Sequence, residues 1–594
     1  LLHTPAPLAW TLVLCALWAS APLLTWWVSR PRRGAGGTAL AGEDAARLHA
    51  VARDTWRYFE RTVTAADHHL PPDNLQTTPH EMLARRTSPT NIGLYLLSAA
   101  CARAFGWTGT PELLQRLEAT LATLQGMPRH RGHFLNWYDT ETALPLLPMY
   151  VSTVDSGNLS GHLLATAQAC RERAADPDER HTAARLRALA GQCEQLAWEA
   201  DFGFLYHPKR HLLHIGYRVA EQQLDAGFYD LLASESRLTS LLAIAKGDVP
   251  VRHWAALGRP FFAVGGTAGL RSWSGSMFEY LMPTLVLAEP WGSVLHDATC
   301  AALREHVHFA RTHGVPWGIS ESAHAGCDHT LAYQYAPQGV PRLALRRTPP
   351  DELVIAPYAT ALAAQLDAAA ACRNFEALQG LGARGRHGFI EALDFTPARQ
   401  TGSQRCTPVN TFMAHHQGMS IVALANVLLG GVAQRWGMAD PHLEAVASLL
   451  HESAPREVST LHEPAAGPPP KALARRAPAL LRELAPGGTA VEPTQLLSNG
   501  RYTVALRANG AGFSRRGRIG LTRWRDDALR DAQGSFLFLR GQAADGGAAA
   551  GPAVSLTQHP APDPVADYHA SFHADRVCFS ADWPTLRART TVWV

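Results

Sequence analysis

Residues 45–53 read AARLHAVAR and residues 113–124 read LLQRLEATLATL, and both stretches repeat apolar residues at spacings of three and four. That spacing puts the apolar side chains on one face of an α-helix. Similar patterns dominate the chain from about residue 45 to residue 455, separated by segments dense in Gly, Trp, Tyr, Asp and His. Strands do not alternate with these helices, which disfavours a parallel-sheet enzyme. The sequence therefore predicts a mainly α fold over 45–455.

The first 29 residues contain no Asp, Glu, Lys or Arg. Within them residues 8–28 are almost wholly apolar and, as a helix, would span roughly 30 Å, about the thickness of a bilayer core. Three arginines follow between residues 30 and 33, and such residues favour the cytoplasmic side of a membrane. Residues 1–33 are therefore predicted to be a transmembrane helix with a basic flank. The alternative is a buried core helix, since Pro22 interrupts the run.

The composition changes after residue 455. Residues 456–492 are rich in proline, which predicts a stiff linker. Beyond it, residues 501–507 alternate in polarity between two Asn-Gly dipeptides, a strong hairpin signal. We therefore predict a β-sandwich over 493–594. Because the last five residues are strand-like and have no closing turn, we expect the sandwich to be truncated and the chain to be a piece of a longer protein.

The overall composition excludes several classes of protein. Of 594 residues, 54 are Lys or Arg and 51 are Asp or Glu, so the net charge is only +3 and no nucleic-acid partner is expected. A hydrophobic fraction of 46% excludes a disordered chain. Nine scattered cysteines without a C-x-x-C spacing are typical of reduced core residues. His207, His211 and His214 are spaced like ligands but have no adjacent acidic partner, so we expect no metal and no cofactor.

Seven segments between the helices combine aromatic with polar side chains. Flat Trp and Tyr rings stack on the C–H faces of sugars, while Asp, Asn, Gln and Arg pair with hydroxyl groups. Seven such segments in one unit favour a carbohydrate cleft, although each one alone could simply pack a loop against a helix. The segments are 136–139, 154–159, 234–237, 273–280, 317–322, 333–335 and 413–419.

Five motifs within or beside these segments point to a family. They resemble the glycoamylase-like region of cyclic β-1,2-glucan synthases. The motifs are TSPTNIG at 87–93, YVSTVDSGNL at 150–159, DLLASESRL at 230–238, GISES at 318–322 and AHHQGM at 414–419.

This resemblance implies a fold, a reaction and a location. The fold is an (α/α)6 barrel over 45–455, between a membrane exit helix at 8–28 and the opening β-sandwich of a phosphorylase-like region, where residues 496–502 and 522–527 carry the likeness. The implied reaction is a transglycosylation that cuts β-1,2-glucan chains and rejoins them into rings. The implied partners are β-1,2-glucan, the bacterial inner membrane and the glucosyltransferase and phosphorylase-like parts of the same synthase. The barrel would face the cytoplasm.

The resemblance also selects two glutamates, Glu235 and Glu321, which stand in its strongest motifs. A retaining glycosidase uses one carboxylate as nucleophile and a second carboxyl group as acid and base. Transfer to a sugar hydroxyl needs the covalent glycosyl-enzyme to survive until the acceptor arrives. We predict that Glu321 is the nucleophile and Glu235 the acid/base. The rivals for these roles are Glu279, Glu391, Asp394 and Asp155.

Other residues of the aromatic and polar segments, and Glu391 outside them, are predicted to bind the sugar chain. Arg237 has an alternative role, an ion pair that holds Glu235 in place. Two other functions stay open: a β-1,2-glucan hydrolase on the same scaffold, and a non-catalytic glucan-binding module. The predicted binding residues are Trp137, Asp155, Asn158, Arg237, Trp273, Glu279, Trp317, Tyr335, Glu391, His415, His416 and Gln417.

Overall fold

A computed structural model shows two compact units, Leu1–Leu461 and His462–Val594. Most of the predicted linker, and residues 523–527 of the predicted sandwich, lie outside the residues that the structure describes. The described residues are 5–28, 40–264, 267–327, 331–347, 351–400, 404–455, 457–458, 481–486, 492–517, 519–522, 533–541 and 550–594.

Helices dominate the first unit, as the apolar spacing predicts. Those that the structure describes are α1 (Pro5–Val28), α2 (Gly42–Thr62), α3 (Pro89–Ala104), α4 (Thr110–Gly126), α5 (Thr153–Ala174), α6 (Ala183–Glu199), α7 (Arg237–Lys246), α8 (Arg252–Ala256), α9 (Met277–Leu281), α10 (Val294–His313), α11 (Pro357–Ala363), α12 (Ala368–Gly380), α13 (Ala414–Leu428), α14 (Val432–Met438) and α15 (Pro441–Val446).

Two layers of helices build the core of this unit. Helices α3, α5 and α13 are buried along nearly their whole length, because their small and apolar side chains face neighbours on every side. The inner helices contact one another in the order α7, α5, α3, α13, α11, α9. Helices α4, α6, α10 and α12 bury only one face, and they pack on α3, α5, α9 and α11 respectively. The mainly α fold is therefore confirmed.

Helix α1 contains the predicted membrane segment, and it continues through Pro22. Among the helices that the structure describes, none is by itself long and apolar enough to cross a membrane. The apolar stretch Trp10–Trp26 is shorter than a span, and the pair Ala414–Leu428 and Val432–Met438 satisfies length and composition only together, with a bend of 99°. The membrane assignment stays a prediction.

The connections between the helices contain short strands that the sequence analysis did not predict. All strand pairings in the described residues are antiparallel. Strands of two to six residues are too short to display a clear alternation in the sequence. In this unit they are β1 (Asn74–Gln76), β2 (Met82–Ala84), β3 (Arg86–Thr87), β4 (Arg129–His130), β5 (His133–Phe134), β6 (Tyr138–Asp139), β7 (Tyr150–Ser152), β8 (Tyr206–His207), β9 (Leu212–His214), β10 (Gly216–Arg218), β11 (Gln223–Leu224), β12 (Phe228–Tyr229), β13 (Phe261–Val264), β14 (Thr267–Leu270), β15 (Ser322–Cys327), β16 (Tyr333–Ala336), β17 (Val354–Ile355), β18 (Arg384–Gly385), β19 (Gly388–Phe389), β20 (Ala392–Asp394), β21 (Thr407–Val409) and β22 (Thr411–Met413).

The second unit is a partial β-sandwich. Two four-stranded sheets, in the orders β23-β30-β31-β32 and β24-β25-β26-β27, share an apolar core that includes Val504, Leu506, Phe572 and Phe579. Its described strands are β23 (Leu481–Leu484), β24 (Thr494–Ser498), β25 (Tyr502–Arg507), β26 (Gly512–Arg516), β27 (Ile519–Gly520), β28 (Phe538–Gly541), β29 (Ala550–Ser555), β30 (Asp567–His573), β31 (Arg576–Asp582) and β32 (Arg587–Trp593).

The hairpin prediction in this unit is confirmed, but the predicted linker boundary differs from the structure. Strands β24 and β25 pair with Ser498 opposite Thr503, so the turn lies at Asn499-Gly500. Strand β23 lies inside the predicted linker 456–492. It pairs with β30, and Leu481 of β23 lies opposite His573 of β30. A partner so distant in the chain leaves no local sequence signal.

Candidate active site

An elongated cleft in the first unit holds the two predicted catalytic glutamates. Two adjoining cavities of about 280 and 430 Å³ share the lining residues Tyr229, Glu235 and Glu321. A third cavity of about 680 Å³ shares Arg86 and Tyr335 with the second. The two carboxyl groups thus lie where the first two cavities meet, with a cavity on either side of them.

Inner helices present their first turns to the cleft. Thr90 lies in the first turn of α3, Asp155 in the first turn of α5, and His415 in the first turn of α13, and all three line the second cavity. Ser88 and Ser152 cap α3 and α5 by accepting hydrogen bonds from backbone N–H groups. The partial positive charge of a helix N-terminus favours negative groups, which suits a carboxylate at this end of α5.

The helix that carries Asp155 packs closely against the helix that follows Glu235. A Cβ atom added at Gly157 of α5 would overlap the side chain of Thr239 in α7. The absence of a side chain at this glycine in the motif YVSTVDSGNL therefore allows α5, which carries Asp155, and α7, which follows Glu235, to pack closely.

Glu235 lies two residues before the first residue of α7, and the Ser234 hydroxyl donates to its Oε2 atom at 3.1 Å. Burial in the cleft wall raises the pKa of Glu235 to about 7, and the negative charge of Glu279 contributes in the same direction. A carboxyl group with a pKa near neutrality both gives and takes a proton at physiological pH. This is the property that an acid/base residue needs.

Glu321 precedes strand β15, and the Tyr335 hydroxyl donates to its Oε1 atom at 3.2 Å. Burial raises the pKa of Glu321 to about 8, and the charges of Glu235 and Glu279 add to this effect. Two carboxyl groups that repel each other in a partly dry cleft hold one proton between them near neutral pH. Taken alone, the two pKa values leave the shared proton on Glu321 rather than on Glu235 in the free protein. The hydrogen bond from Tyr335 acts in the opposite direction and favours the ionised form of Glu321, which is the form a nucleophile requires.

Glu279 differs from the pair because protein donors occupy its oxygens. The hydroxyls of Ser272, Ser274 and Ser276 and the backbone N–H groups of Ser274 and Ser276 donate to its carboxylate at 2.6–3.2 Å. It also completes a capping box with Ser276 at the start of α9. The site thus holds Glu279 as a fixed negative charge in the wall of the first cavity.

Asp155 belongs to a polar network in the second cavity. It accepts a hydrogen bond from Thr90 Oγ1 at 2.6 Å, and Asn158 Nδ2 donates to the same Thr90 oxygen at 3.1 Å. With the amide of Asn136 oriented to satisfy its neighbours, its nitrogen donates to Asp155 Oδ2 at 3.0 Å and its oxygen accepts from Trp137 Nε1 at 3.1 Å. Asn158 Oδ1 is buried and has no protein donor among the described residues.

Two tryptophans lie on opposite sides of the carboxyl pair. Trp137 lines the second cavity, with the Arg86 guanidinium 4.7 Å from its ring centre. Trp273 lines the first cavity, with the Arg346 guanidinium 5.2 Å from its ring centre, and about half of its surface is exposed. These rings would offer flat faces for sugars on either side of the predicted catalytic pair.

Arg237 does not form the ion pair with Glu235 that the sequence analysis considered. Its side chain is fully buried and pairs with Glu289 at 2.7 Å. It also donates to the backbone oxygens of Ser234, Glu279 and Tyr280. Arg237 therefore ties together the segments that carry Glu235 and Glu279, without itself lining any of the three cavities of the cleft.

Several other predicted site residues lie outside the cleft. Glu391, His416 and Gln417 line a separate, nearly filled space behind it. Trp317 lines another cavity, where its backbone N–H donates to Asn374 Oδ1 at 3.1 Å. Asp394, a rival for catalysis, forms a buried ion pair with Arg399 at 2.6 Å.

Tyr229 is a cleft residue that the sequence analysis missed. It lies between the two cavities, directly before the motif DLLASESRL. Burial and the charges of Glu235 and Asp155 raise its pKa well above the usual range, so the phenol stays protonated and available as a donor. Its position directly before the motif DLLASESRL is the sequence signal that could have identified it as a cleft residue.

Fold and cleft together define a class: a helical unit with a carbohydrate-type cleft, joined in one chain to a β-sandwich. Comparison with protein families agrees with this class. Residues 227–439 match the glycoamylase family, and residues 481–594 match the supersandwich domain of glycosyl hydrolase 94.

Similarity to one relative points to a narrower class than the two family matches do. Over 88% of its length the chain is 39% identical to the cyclic β-(1,2)-glucan synthase NdvB of Rhizobium meliloti (strain 1021), and it spans 23% of the length of that protein. The resemblance to cyclic β-1,2-glucan synthases is therefore confirmed.

Solved structures show the same fold at low identity. The endo-β-1,2-glucanase of Chitinophaga pinensis, solved with sophorotriose and glucose, is 16% identical with a TM-score of 0.55, and the match covers 70% of this chain and 99% of that one. The endo-β-1,2-glucanase of Talaromyces funiculosus, solved with sophorose, is 14% identical with a TM-score of 0.55, and the match covers 72% of this chain and 95% of that one. At these identities the likeness concerns the fold.

Proposed function

We propose that the helical unit is a β-1,2-glucan transglycosylase that closes glucan chains into rings within a cyclic β-1,2-glucan synthase. The observation that carries the proposal is the position of Glu235 and Glu321 where two cavities meet. A glycosidic bond placed at this junction would have donor sugars on one side and leaving-group sugars on the other. The similarity to a cyclic β-(1,2)-glucan synthase supplies the substrate class.

The proposed reaction has two steps. Glu321 attacks the anomeric carbon while Glu235 protonates the leaving oxygen, so the glycosidic bond breaks and a glycosyl-enzyme ester forms. Glu235, now ionised, then removes the proton from a hydroxyl at the other end of the same chain. That oxygen displaces Glu321, which leaves as a carboxylate and closes the ring. Each step inverts the anomeric carbon, and the product retains the original configuration.

Residues of both cavities would hold the glucan. Trp137 and Trp273 offer stacking faces, and the network around Asp155 and Asn158 offers acceptors for hydroxyl groups. His415 lines the second cavity as well, where burial and the neighbouring His416 lower its pKa to about 4, so it is neutral. A neutral imidazole binds hydroxyls without attracting a counter-ion.

Hydrolysis is the second candidate function, because the cited solved structures of this fold are named endo-β-1,2-glucanases. The same carboxyl pair would act with water as the acceptor. Incubation of the full chain with linear β-1,2-glucan, followed by mass analysis, separates the two. Rings are lighter than linear chains of equal length by one water, and we expect rings; linear fragments alone would establish the hydrolase. No change in the glucan would favour the non-catalytic binding module.

We also propose that the inner and outer helices close as an (α/α)6 barrel, and that residues 1–33 anchor it to the bacterial inner membrane with the barrel in the cytoplasm. The remaining glucosyltransferase and phosphorylase-like parts of the synthase would be its partners in one polypeptide. The support is the apolar, uncharged start of the chain and the arginines after it. A reporter fused after Arg33 should read out cytoplasm, and a periplasmic readout would overturn this placement.

A further inference from the structure

A buried series of hydrogen-bonding groups lies behind Glu321. Glu391 contacts His416 Nδ1 with both carboxyl oxygens at 3.0 Å. His416 Nε2 lies 3.5 Å from the Tyr335 hydroxyl, and that hydroxyl donates to Glu321 Oε1 at 3.2 Å. Four side chains from separate parts of the sequence therefore connect a fully buried carboxyl group to the predicted nucleophile.

Glu321, whose own pKa is about 8, must lose its proton before it can act as a nucleophile, and in that ionised state the protons of this series have a consistent arrangement. Burial raises the pKa of Glu391 to about 8 and lowers that of His416 to about 3, so near neutral pH the carboxyl group keeps its proton and the imidazole is neutral. The protonated oxygen of Glu391 then donates to Nδ1, while its Oε1 atom accepts from the Ala323 N–H at 3.1 Å. A neutral imidazole that accepts at Nδ1 carries its hydrogen on Nε2. It therefore donates to Tyr335, which in turn donates to Glu321.

Neighbouring groups fix the imidazole in this orientation. The ring of Tyr358 stacks on His416 with the ring centres 3.6 Å apart and the planes within 9°. The hydroxyl of Tyr358 donates to Ser320 Oγ at 2.8 Å and to the backbone oxygen of Glu321 at 3.0 Å. Tyr358 thus ties the ring of His416 to the segment that carries the nucleophile.

Glu391 and His416 line the buried space behind the cleft and none of its three cavities. Their side chains are at most 1% exposed. They are therefore poorly placed to contact sugar, and among their contacts the one with Tyr335 leads directly to a carboxyl oxygen of Glu321.

We propose that Glu391 and His416 are positioning residues that act as a neutral donor chain, aiming the Tyr335 hydroxyl at one oxygen of Glu321. The inference rests on the proposed function, since it names what holds the nucleophile of that reaction. This donor chain stabilises the carboxylate of Glu321 and fixes its orientation, so that the second carboxylate oxygen faces the anomeric carbon. No proton leaves the chain during the reaction, because each member donates in the same direction before and after attack.

A set of substitutions tests this order of donors. In Y335F, the last hydroxyl is lost, and we expect kcat on linear β-1,2-glucan to fall about 10- to 100-fold with KM changed less than threefold. E391L leaves His416 Nδ1 without a partner and should lower kcat about tenfold. E391Q should lose much less than E391L, because its amide N–H replaces the carboxyl donor and its oxygen still accepts from Ala323. The matched control is Y58F, which removes a buried tyrosine hydroxyl that donates to Pro72 outside the cleft.

Two readouts distinguish a donor chain that acts on Glu321 from side chains that only stabilise the fold. The double variant E391L/Y335F should be no slower than Y335F alone, because both changes act through the same hydrogen bond. In the free protein, a ¹³C-carboxyl NMR titration should show the pKa of Glu321 raised in Y335F and, to a smaller extent, in E391L. This titration needs no substrate, so it still tests the chain if the wild-type protein leaves β-1,2-glucan unchanged.

Three results would overturn the inference. An E391Q variant as slow as E391L would mean that a charged carboxylate is needed, and a raised KM with normal kcat would mean that these residues bind sugar. An unchanged Glu321 titration in Y335F would mean that the tyrosine does not act on the nucleophile. Failure of the wild type to act on β-1,2-glucan, with the titration shifts intact, would remove the proposed function and leave the donor chain standing.

Discussion

Replacing Glu321 by Gln should stabilise the protein, and it should do so only at neutral and higher pH. In the unfolded chain this carboxyl group ionises near its ordinary pKa of 4.5, whereas in the folded chain burial and the charges of Glu235 and Glu279 raise that pKa to about 8. Below pH 4.5 this carboxyl group is protonated in both the folded and the unfolded chain, so it does not lower the free energy of unfolding. As the pH rises from 4.5 to 8, only the unfolded state gains by losing the proton, and the free energy of unfolding falls.

The size of the effect follows from the shift. At about 1.4 kcal/mol per pKa unit, the rise from 4.5 to about 8 sets an upper limit of about 5 kcal/mol. The side chain is only partly buried, so solvent screens it, and we expect about 2 kcal/mol at pH 8. For a helical unit of about 400 residues, this corresponds to a rise in melting temperature of about 2 °C.

Calorimetry at pH 5 and pH 8 checks this expectation. E321Q should melt close to the wild type at pH 5 and above it at pH 8. The contrasting variant is E289Q, which leaves the buried Arg237 guanidinium without its carboxylate and should melt lower at both values of pH. A destabilised E321Q, or the same shift at both values of pH, would refute the argument that burial and repulsion raise the pKa of this carboxyl group in the folded protein.

Three further predictions concern catalysis and packing. E321Q and E235Q should each lower turnover on β-1,2-glucan about a thousandfold while sugar binding measured by calorimetry persists; near-normal turnover in either would move its role to Glu279 or Asp155, the two rivals that line the cleft. The anomeric proton, followed by NMR in the first turnovers, should show net retention, with the two carboxyl groups roughly 5 to 6 Å apart in the sugar-bound protein; an initially inverted product would contradict the glycosyl-enzyme. G157A should lower the melting temperature by several degrees, because its methyl group overlaps Thr239, and G191A on the open face of α6 is the control that should not. Equal melting of the two glycine variants would show that α5 and α7 tolerate separation.

The sequence predicts the helices and the hairpin because their signals are local. A spacing of three or four residues describes an amphipathic helix such as α4, and Asn499-Gly500 describes the turn between β24 and β25. The short strands of the first unit and strand β23 leave no such pattern, because their stability comes from distant partners. The sequence locates the ends of the predicted elements less well for the same reason.

The candidate site could be predicted as a set of residues but not as an arrangement. Resemblance selects Glu235 and Glu321, and the structure places both in one cleft. The sequence could not show that Arg237 pairs with Glu289, which lies 52 residues further along the chain. From the sequence, Glu391 and His416 are predicted to bind the sugar chain, whereas the structure buries both behind the cleft. Residue type indicates polarity, but which side of a loop a polar group faces depends on tertiary packing.

The same carboxyl pair can serve hydrolysis or transfer, so the choice between them depends on which oxygen reaches the glycosyl-enzyme first. Water needs only space, whereas a sugar hydroxyl must be held within reach of Glu235, which removes its proton. The polar network of Thr90, Asp155 and Asn158 lies beside the pair and offers acceptors in fixed positions, including one buried oxygen without a protein donor. In the proposed reaction, a glucan end bound to this network would displace water from beside the carboxyl pair and would arrive already oriented. Transfer is then favoured by proximity, and the bond energy stored in the ester passes to the ring instead of being lost to water.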